Sequence, residues 1–405
     1  MNKSLEIKLE KIKKQNYKPK DFIIADAKDA DMAMGIITPG PERDNKGKIL
    51  KTFKKLNDYK EAMVSMSKSN LIDIMLMSAS VGEELIKKRV FNNSKVTPAI
   101  RMNDTSDIWL MRKGNYRSTN PRPFRSARLD SVSKFANLGL FSMTFSKDVD
   151  FDLAMLNAYR DFRIEALYFK FNHFLEVFNP PINIGLKPKE LGDYVNDCII
   201  KAIAGQTKDE RPLFLKIAYN GPKAMEDLAS YDPENLTVGI LGGSKGTTRD
   251  CFELINKASK YGARVALFGR KINLSEDPIL LVKMMRAVIE ANLKTDEAVK
   301  LYHNELKQKK LTNNFLKMEN EKLRDLINES INSNEILARV LIDKESPFLR
   351  SIILNKGTKD KLKIGMAVVD EVHLVGKVIE VNFTNSRVLL LSDLNSRIPA
   401  LLEPI

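Results

Sequence analysis

Between residues 22 and 268, eight short apolar runs alternate with longer segments whose apolar residues recur at three- and four-residue spacing, and this alternation constrains the fold most. The runs lie at 22–25, 71–77, 96–100, 138–145, 173–178, 213–219, 236–241 and 264–268; the clearest helical segments lie at 152–169, 188–204, 248–261 and 278–292. A helix between two strands carries the chain back across the sheet, so the strands pair in parallel. Eight such units close into a (β/α)8 TIM barrel. A doubly wound open sheet has the same alternation, and strand count separates the two. One segment exceeds a minimal unit. Residues 107–131 include RKGNYRSTNPRPFRSARLD and read as an arginine-rich loop after the third strand, either a solvated insertion or a lid over a phosphorylated substrate.

The pattern changes after Gln308. Leu316, Asn320, Leu323 and Ile327 fall at alternating four- and three-residue steps in a stretch free of Gly and Pro, the spacing of a short coiled-coil seam. Beyond it the period drops to two, with strands expected at 336–342, 351–355, 366–369, 374–381 and 386–391, and Gly357, Gly365 and Gly376 at turns or bulges. The expected organisation is an α/β barrel over 1–308, a coiled-coil helix over 309–332 and a small all-β domain over 333–405. A chain of 405 residues accommodates this, since a barrel takes about 250 residues.

A formal net charge of +14 suits contact with anions: sugar phosphates, nucleic acid or an acidic membrane face. No aromatic-interleaved basic stripe supports the nucleic-acid option. Cys198 and Cys251 lie within expected helices, and His173, His303 and His373 are far apart in sequence, so neither a disulfide framework nor a metal centre is expected. The first 20 residues lack the apolar core of a secretory signal, and no run approaches the roughly 20 residues that span a bilayer; a soluble, cytoplasmic chain is the expectation.

Barrel enzymes carry their reactive groups at the carboxyl ends of strands. On the sixth run, PLFLKIAYNG sets Lys216 in an otherwise apolar stretch. A lysine there either lays its stem along the strand and reaches out to water, or is desolvated beside another cation such as Lys147 or Lys28 and becomes a nucleophilic amine. Two further strands end in GILGGSKGTTRD and ALFGRKI. Gly242 and Gly243 free backbone N–H groups ahead of a helix, and Gly269 with Arg270 follows the eighth strand; together they form a phosphate cradle, or else two ordinary glycine turns.

These residues resemble the DhnA-type class I aldolases, which include the archaeal-type fructose-bisphosphate aldolases. The resemblance covers about residues 20–306 and is strongest from 213 to 272, where a strand lysine, GG before a helix and GR after the last strand occur in the family's order. It implies Lys216 as the Schiff-base lysine, no cofactor beyond the covalent imine, a phosphorylated small-molecule substrate, and Gly242, Gly243, Ser244, Gly269 and Arg270 on the phosphate. It implies Asp26, in IIADAKDAD, as a polar orienter or acid/base group, and a homo-oligomeric state. After the fifth strand the family has a glutamate, then a tyrosine; HFLEVFNPP keeps Glu176 but has Phe178 at the tyrosine position. Phenylalanine moves no protons, so Glu176 or Asp26 must act as the acid, or cleavage is altered or lost.

The end of the chain resembles the rod shape-determining MreC family through MENEKLRDLI, NKGT, GMAVVD, LVGKV and SRVLLLSD in order, over about 311–404. That resemblance implies self-association and contact with cell-shape proteins outside the inner membrane. Family members reach the periplasm through an amino-terminal membrane helix and continue beyond the point where this chain stops, so a truncated β-domain fused to an unrelated reading frame is expected; one full-length transcript and polypeptide in the source cells contradicts an assembly artefact. The alternative to an enzyme is a scaffold with a catalytically silent barrel.

Overall fold

All eight apolar runs become parallel strands: β1 (Ile23–Lys28), β2 (Ile74–Met77), β3 (Thr97–Arg101), β4 (Leu138–Thr144), β5 (Asn172–Phe178), β6 (Leu215–Ile217), β7 (Val238–Leu241) and β8 (Val265–Phe268). They close in sequence order, with β1 hydrogen-bonded to both β2 and β8. This computed structural model describes residues 3–44, 48–242, 246–309, 336, 338–345, 350–370 and 373–391. The expected helices appear at Val149–Tyr168, Pro188–Ala204, Thr248–Lys260 and Pro278–Glu290. The sixth strand is shorter than its apolar run, and β1 runs past the expected end to Lys28.

Alternation along each strand sorts side chains between two layers. Ile23, Ala25 and Ala27 of β1, Leu138 and Leu140 of β4, Phe174, Phe214, Val265 and Leu267 pack together inside the barrel. Their neighbours, including Ile24, Met75, Phe141, Leu175, Leu215 and Ala266, pack outward against the helices. The Phe174 and Phe214 rings stack inside with centroids 4.6 Å apart.

The interior cluster also contains Leu5, Leu9 and Ile12, one stripe of the helix Ser4–Lys13. Lys3 Nζ donates to the carbonyls of Phe91 and Ser94, and Lys8 Nζ to that of Phe22 and to Asp73, all at the amino-terminal ends of strands. The basic opening segment therefore closes the bottom of the barrel. Each buried apolar side chain contributes about 1.5–3 kcal/mol, enough to anchor a ten-residue helix that would be marginal alone.

The chain divides into two compact units, Met1–Phe315 and Leu316–Ile405. In the second, β9 (Val340–Glu345), β10 (Arg350–Leu354), β11 (Ala367–Asp370), β12 (His373–Val381) and β13 (Ser386–Leu390) form an antiparallel sheet in the order β9-β10-β13-β12-β11. Ile352, Leu354, Leu362, Val378 and Val388 form its core. Apart from Lys309, the expected coiled coil at 309–332 lies outside the described residues. Among the described residues no helix is long and apolar enough to cross a membrane, and no group of three or more His, Cys, Asp or Glu could hold a metal ion.

Candidate active site at the mouth of the barrel

Immediately above the last apolar layer the interior turns polar. Lys216 on β6, Glu176 on β5 and Ser142 on β4 lie level, because Lys216 pairs in register with Glu176 and Glu176 with Ser142. Each stands two residues beyond an interior apolar residue: Phe214, Phe174 and Leu140. Arg101 likewise ends β3 two residues beyond Ala99, and Asp29 follows β1 two residues beyond Ala27.

Lys216 Nζ is 2.5 Å from Glu176 Oε1. Glu176 Oε2 accepts from the Ser142 hydroxyl at 2.7 Å and from Arg101 Nη2 at 3.3 Å. Arg101 also donates to Ser142 Oγ at 2.8 Å, to the Asn103 carbonyl at 2.9 Å and, through Nη1, to Asp29. The Asn103 amide fixes the Ser142 backbone, donating to its carbonyl at 2.9 Å and accepting its N–H at 2.5 Å. All six side chains are buried.

Buried charges are tolerated only when paired. Burial works against the Arg101 cation, but Asp104, Asp29 and Glu176 together outweigh it and hold the guanidinium charged. Burial would also raise the Asp29 carboxyl; Arg101 and Lys216 bring it below its ordinary range instead. The arrangement presents an amine inside the barrel with a carboxylate within proton-transfer distance, the pairing that nucleophilic amine chemistry requires.

Asp26 does not join this cluster. Its parity is that of Ile24, facing the helices, where it is fully buried with Lys28 Nζ 3.2 Å from Oδ1 and, among the described residues, neither carboxylate oxygen has a fully formed hydrogen bond. Burial raises the Asp26 carboxyl and lowers the Lys28 ammonium, drawing the pair toward its neutral form. The interior carboxylate at this strand end is Asp29. Lys147 is exposed in a left-handed turn after β4 and takes no part in the cluster's bonds. Phe178 has the interior parity of Glu176, one step further toward the mouth. The reading of the sequence missed Arg101, Asn103, Ser142 and Asp29; an arginine ending an apolar run at the parity of an interior alanine was the available signal.

At the other side of the mouth, Gly269 approaches β1 so closely that a Cβ would lie 2.5 Å from the Ala27 carbonyl, and a Cβ on Gly242 would lie 2.3 Å from the Phe268 ring. Both glycines are therefore demanded by packing, whatever else they do. Gly243 and Ser244 lie outside the described residues. Arg270 borders a cavity of about 160 Å³ lined by Ala27, Met34, Thr38, Tyr59 and Asn273 among others. Burial, and then the like charge of Arg117 in the arginine-rich loop, depress Arg270 below its ordinary value. Neither arginine makes an ion pair among the described residues. The loop is fastened by Trp109, whose ring meets Tyr116 and Phe124 edge-on at 4.6 and 4.7 Å, and by the Leu110 N–H on the Ala33 carbonyl at 2.7 Å.

Residues 340–404 match the family model for the rod shape-determining protein MreC, barrel core. The cell shape-determining protein MreC of Cereibacter sphaeroides is 38% identical over 91 residues, 22% of this chain and 30% of that protein. The chain thus spans about a third of the MreC relatives it matches. A 3-hydroxy-5-phosphonooxypentane-2,4-dione thiolase of Salmonella typhimurium is 32% identical over 87 residues, 22% of this chain and 29% of that protein. Among solved structures, the fructose-bisphosphate aldolase from Slackia heliotrinireducens superposes with a TM-score of 0.54 at 12% identity, covering 74% of this chain and 90% of that one. An archaeal fructose-1,6-bisphosphate aldolase whose catalytic lysine is covalently bound to the carbinolamine intermediate of its substrate gives 0.50 at 14% identity, covering 71% and 99%. At that identity the likeness is one of fold. The chain therefore joins an aldolase-type barrel to an MreC-like β segment.

Proposed function

We propose that residues 1–308 act as a Schiff-base, class I aldolase-type carbon–carbon lyase on a phosphorylated sugar or related carbonyl compound, in the cytoplasm, with Lys216 as the reactive amine. The observation that carries this reading is the 2.5 Å contact between Lys216 and Glu176 inside the barrel. Glu176 takes a proton from the Lys216 ammonium, and the free amine adds to the substrate carbonyl. Returning the proton to the carbinolamine hydroxyl expels water and leaves an iminium. The iminium accepts the electron pair of the breaking carbon–carbon bond, so no separate cofactor is needed. Because Phe178 carries no proton, Glu176 or Asp29 takes the one lost from the substrate hydroxyl, with Asp29 in the role first given to Asp26. Arg270 and the backbone at Gly242, Gly243, Ser244 and Gly269 hold the phosphate, consistent with Arg270 and Arg117, neither of which makes an ion pair among the described residues. The thiolase relative is named for a phosphorylated diketone, which supports a substrate of that class.

The segment 333–405 is the MreC-like part, and cell-shape proteins are its expected partners. Phe178 favours a second reading, in which the barrel is catalytically silent and the chain serves as a scaffold. Incubation with phosphorylated ketoses and aldehydes, borohydride reduction and peptide mass spectrometry separates the two. The expected result is an adduct on Lys216 that is absent from Lys216→Arg. Folded protein that yields no adduct with any ligand establishes the silent barrel.

A further inference from the structure

Arg101 Nη2 carries two hydrogens but faces three acceptors: Ser142 Oγ at 2.8 Å, Glu176 Oε2 at 3.3 Å and Asp104 Oδ1 at 3.5 Å. Ser142 takes the first hydrogen. The second is contested, at long range, between Glu176 and Asp104, so either carboxylate strengthens its hold only at the other's expense. Asp104 is fully buried; its Oδ1 accepts the Thr105 N–H at 3.0 Å, while its Oδ2 is sealed from solvent with no hydrogen-bond partner among the described residues.

We propose that Asp104 is a positioning residue for Lys216: by gaining and losing a proton it sets whether the second Nη2 hydrogen of Arg101 goes to Glu176, the carboxylate that services the amine. This rests on the reading of Lys216 as a nucleophile.

The charges around Asp104 make it the acid that holds a proton. Arg101 on β3 is the cation it touches, and Asp29 beyond β1 and Glu176 on β5 compete for that cation. Lys216 on β6 is committed to the far oxygen of Glu176. Asp107, the next carboxyl along the chain, is held by the hydroxyls of Thr105 and Thr144. Glu176 and Asp29 take the shorter contacts, and Asp104 keeps one oxygen bare. Burial, outweighing Arg101, pushes its carboxyl up to about 7.

With Asp104 neutral, Arg101 donates to Glu176 and ties up the carboxylate that services Lys216. When Asp104 ionises it draws the guanidinium away. Glu176 loses a charge-assisted hydrogen bond and is released to service the Lys216 amine. Imine formation should then rise as pH passes through the Asp104 transition.

Two measurements decide this. In the first, the rate of borohydride-trapped adduct on Lys216 is followed against pH in the full chain and in Asp104→Asn, with thermal melts to verify folding. The wild-type rate should rise through neutrality; Asp104→Asn should lose that rise and fall roughly tenfold behind above it, the effect of one charge-assisted hydrogen bond. Identical profiles overturn the proposal and leave the aldolase reading standing. The second is carboxyl-carbon NMR on the wild-type chain, which needs no substrate: Asp104 should titrate near neutrality and Glu176 should shift in step. If Asp104 titrates in the ordinary carboxylate range, or Glu176 is indifferent to it, the proposal fails. Absence of any adduct, with the coupled titration intact, instead condemns the aldolase reading alone.

Discussion

His173 lies on β5 at the parity opposite to Glu176, so its ring enters the helix layer, where it meets Phe162 edge-on and stands 2.8 Å from the Tyr159 hydroxyl. Burial, then the nearby Arg163 charge, depress it from 6.5 to about 3. The folded chain thus binds this proton less readily than the unfolded one. The stability it contributes is complete above about pH 6.5 and is lost as pH falls toward 3. We expect the denaturant midpoint of the barrel to decline over that range and His173→Phe to flatten part of the decline; a variant declining as steeply as the parent contradicts the assignment. The same parity decides which site residues the sequence reveals. Glu176 and Lys216 each interrupt an apolar run, so both were legible. The resemblance points to Asp26 as the acid ending the first run, whereas the strand continues to Lys28 and alternation places Asp29 on the interior face, which a run read as ending at residue 25 does not show. Arg101 is legible as an interior arginine at a strand end, but its pairing with Ser142 and Glu176 is not, because they lie 41 and 75 residues away.

At the scale of elements, barrel closure places demands that a single strand does not show. Gly239 lies beside Lys216 in the register between β6 and β7, and a Cβ there would stand 2.6 Å from the Leu215 carbonyl and 2.7 Å from Val265 Cβ. Backbone cannot yield as a flexible side chain does, so Gly239→Ala should cost about 1–3 kcal/mol in urea denaturation. An unchanged midpoint would show that the strands separate more freely than this packing implies. The strands were legible because eight apolar runs survive whatever the loops do, whereas the barrel-closing helix Ser4–Lys13 was not: its stripe of three apolar residues is masked by lysines that bond to strand ends. The arginine-rich loop offers its own reporter. Trp109 is the chain's sole tryptophan and half-buried against Tyr116 and Phe124, in the loop that carries Arg117. If this loop closes on a substrate phosphate, the tryptophan fluorescence should shift in intensity on titration with a phosphorylated ketose, and the response should weaken in Arg117→Gln. A signal indifferent to ligand assigns the loop to the solvated surface.

For the whole molecule, the sequence showed two periodicities and the structure has two compact units with separate cores. The larger holds an interior apolar column, an outer helix layer and a helix closing the bottom; the smaller, among the described residues, packs five buried side chains on and beside an antiparallel sheet. Unfolding enthalpy scales with residues ordered, at about 0.7 kcal/mol per residue near 60 °C, so two units of such unequal size should absorb very different amounts of heat. Scanning calorimetry of the full chain should resolve two transitions, the barrel accounting for most of the area. A phosphorylated substrate that binds only the folded barrel should raise the larger transition and leave the smaller in place. That result argues that the MreC-like segment folds on its own terms and that the imine chemistry belongs to the barrel alone. A single transition shifted as a whole by substrate would mean instead that the two parts fold cooperatively, and that the union of barrel and β segment is built into one stable protein.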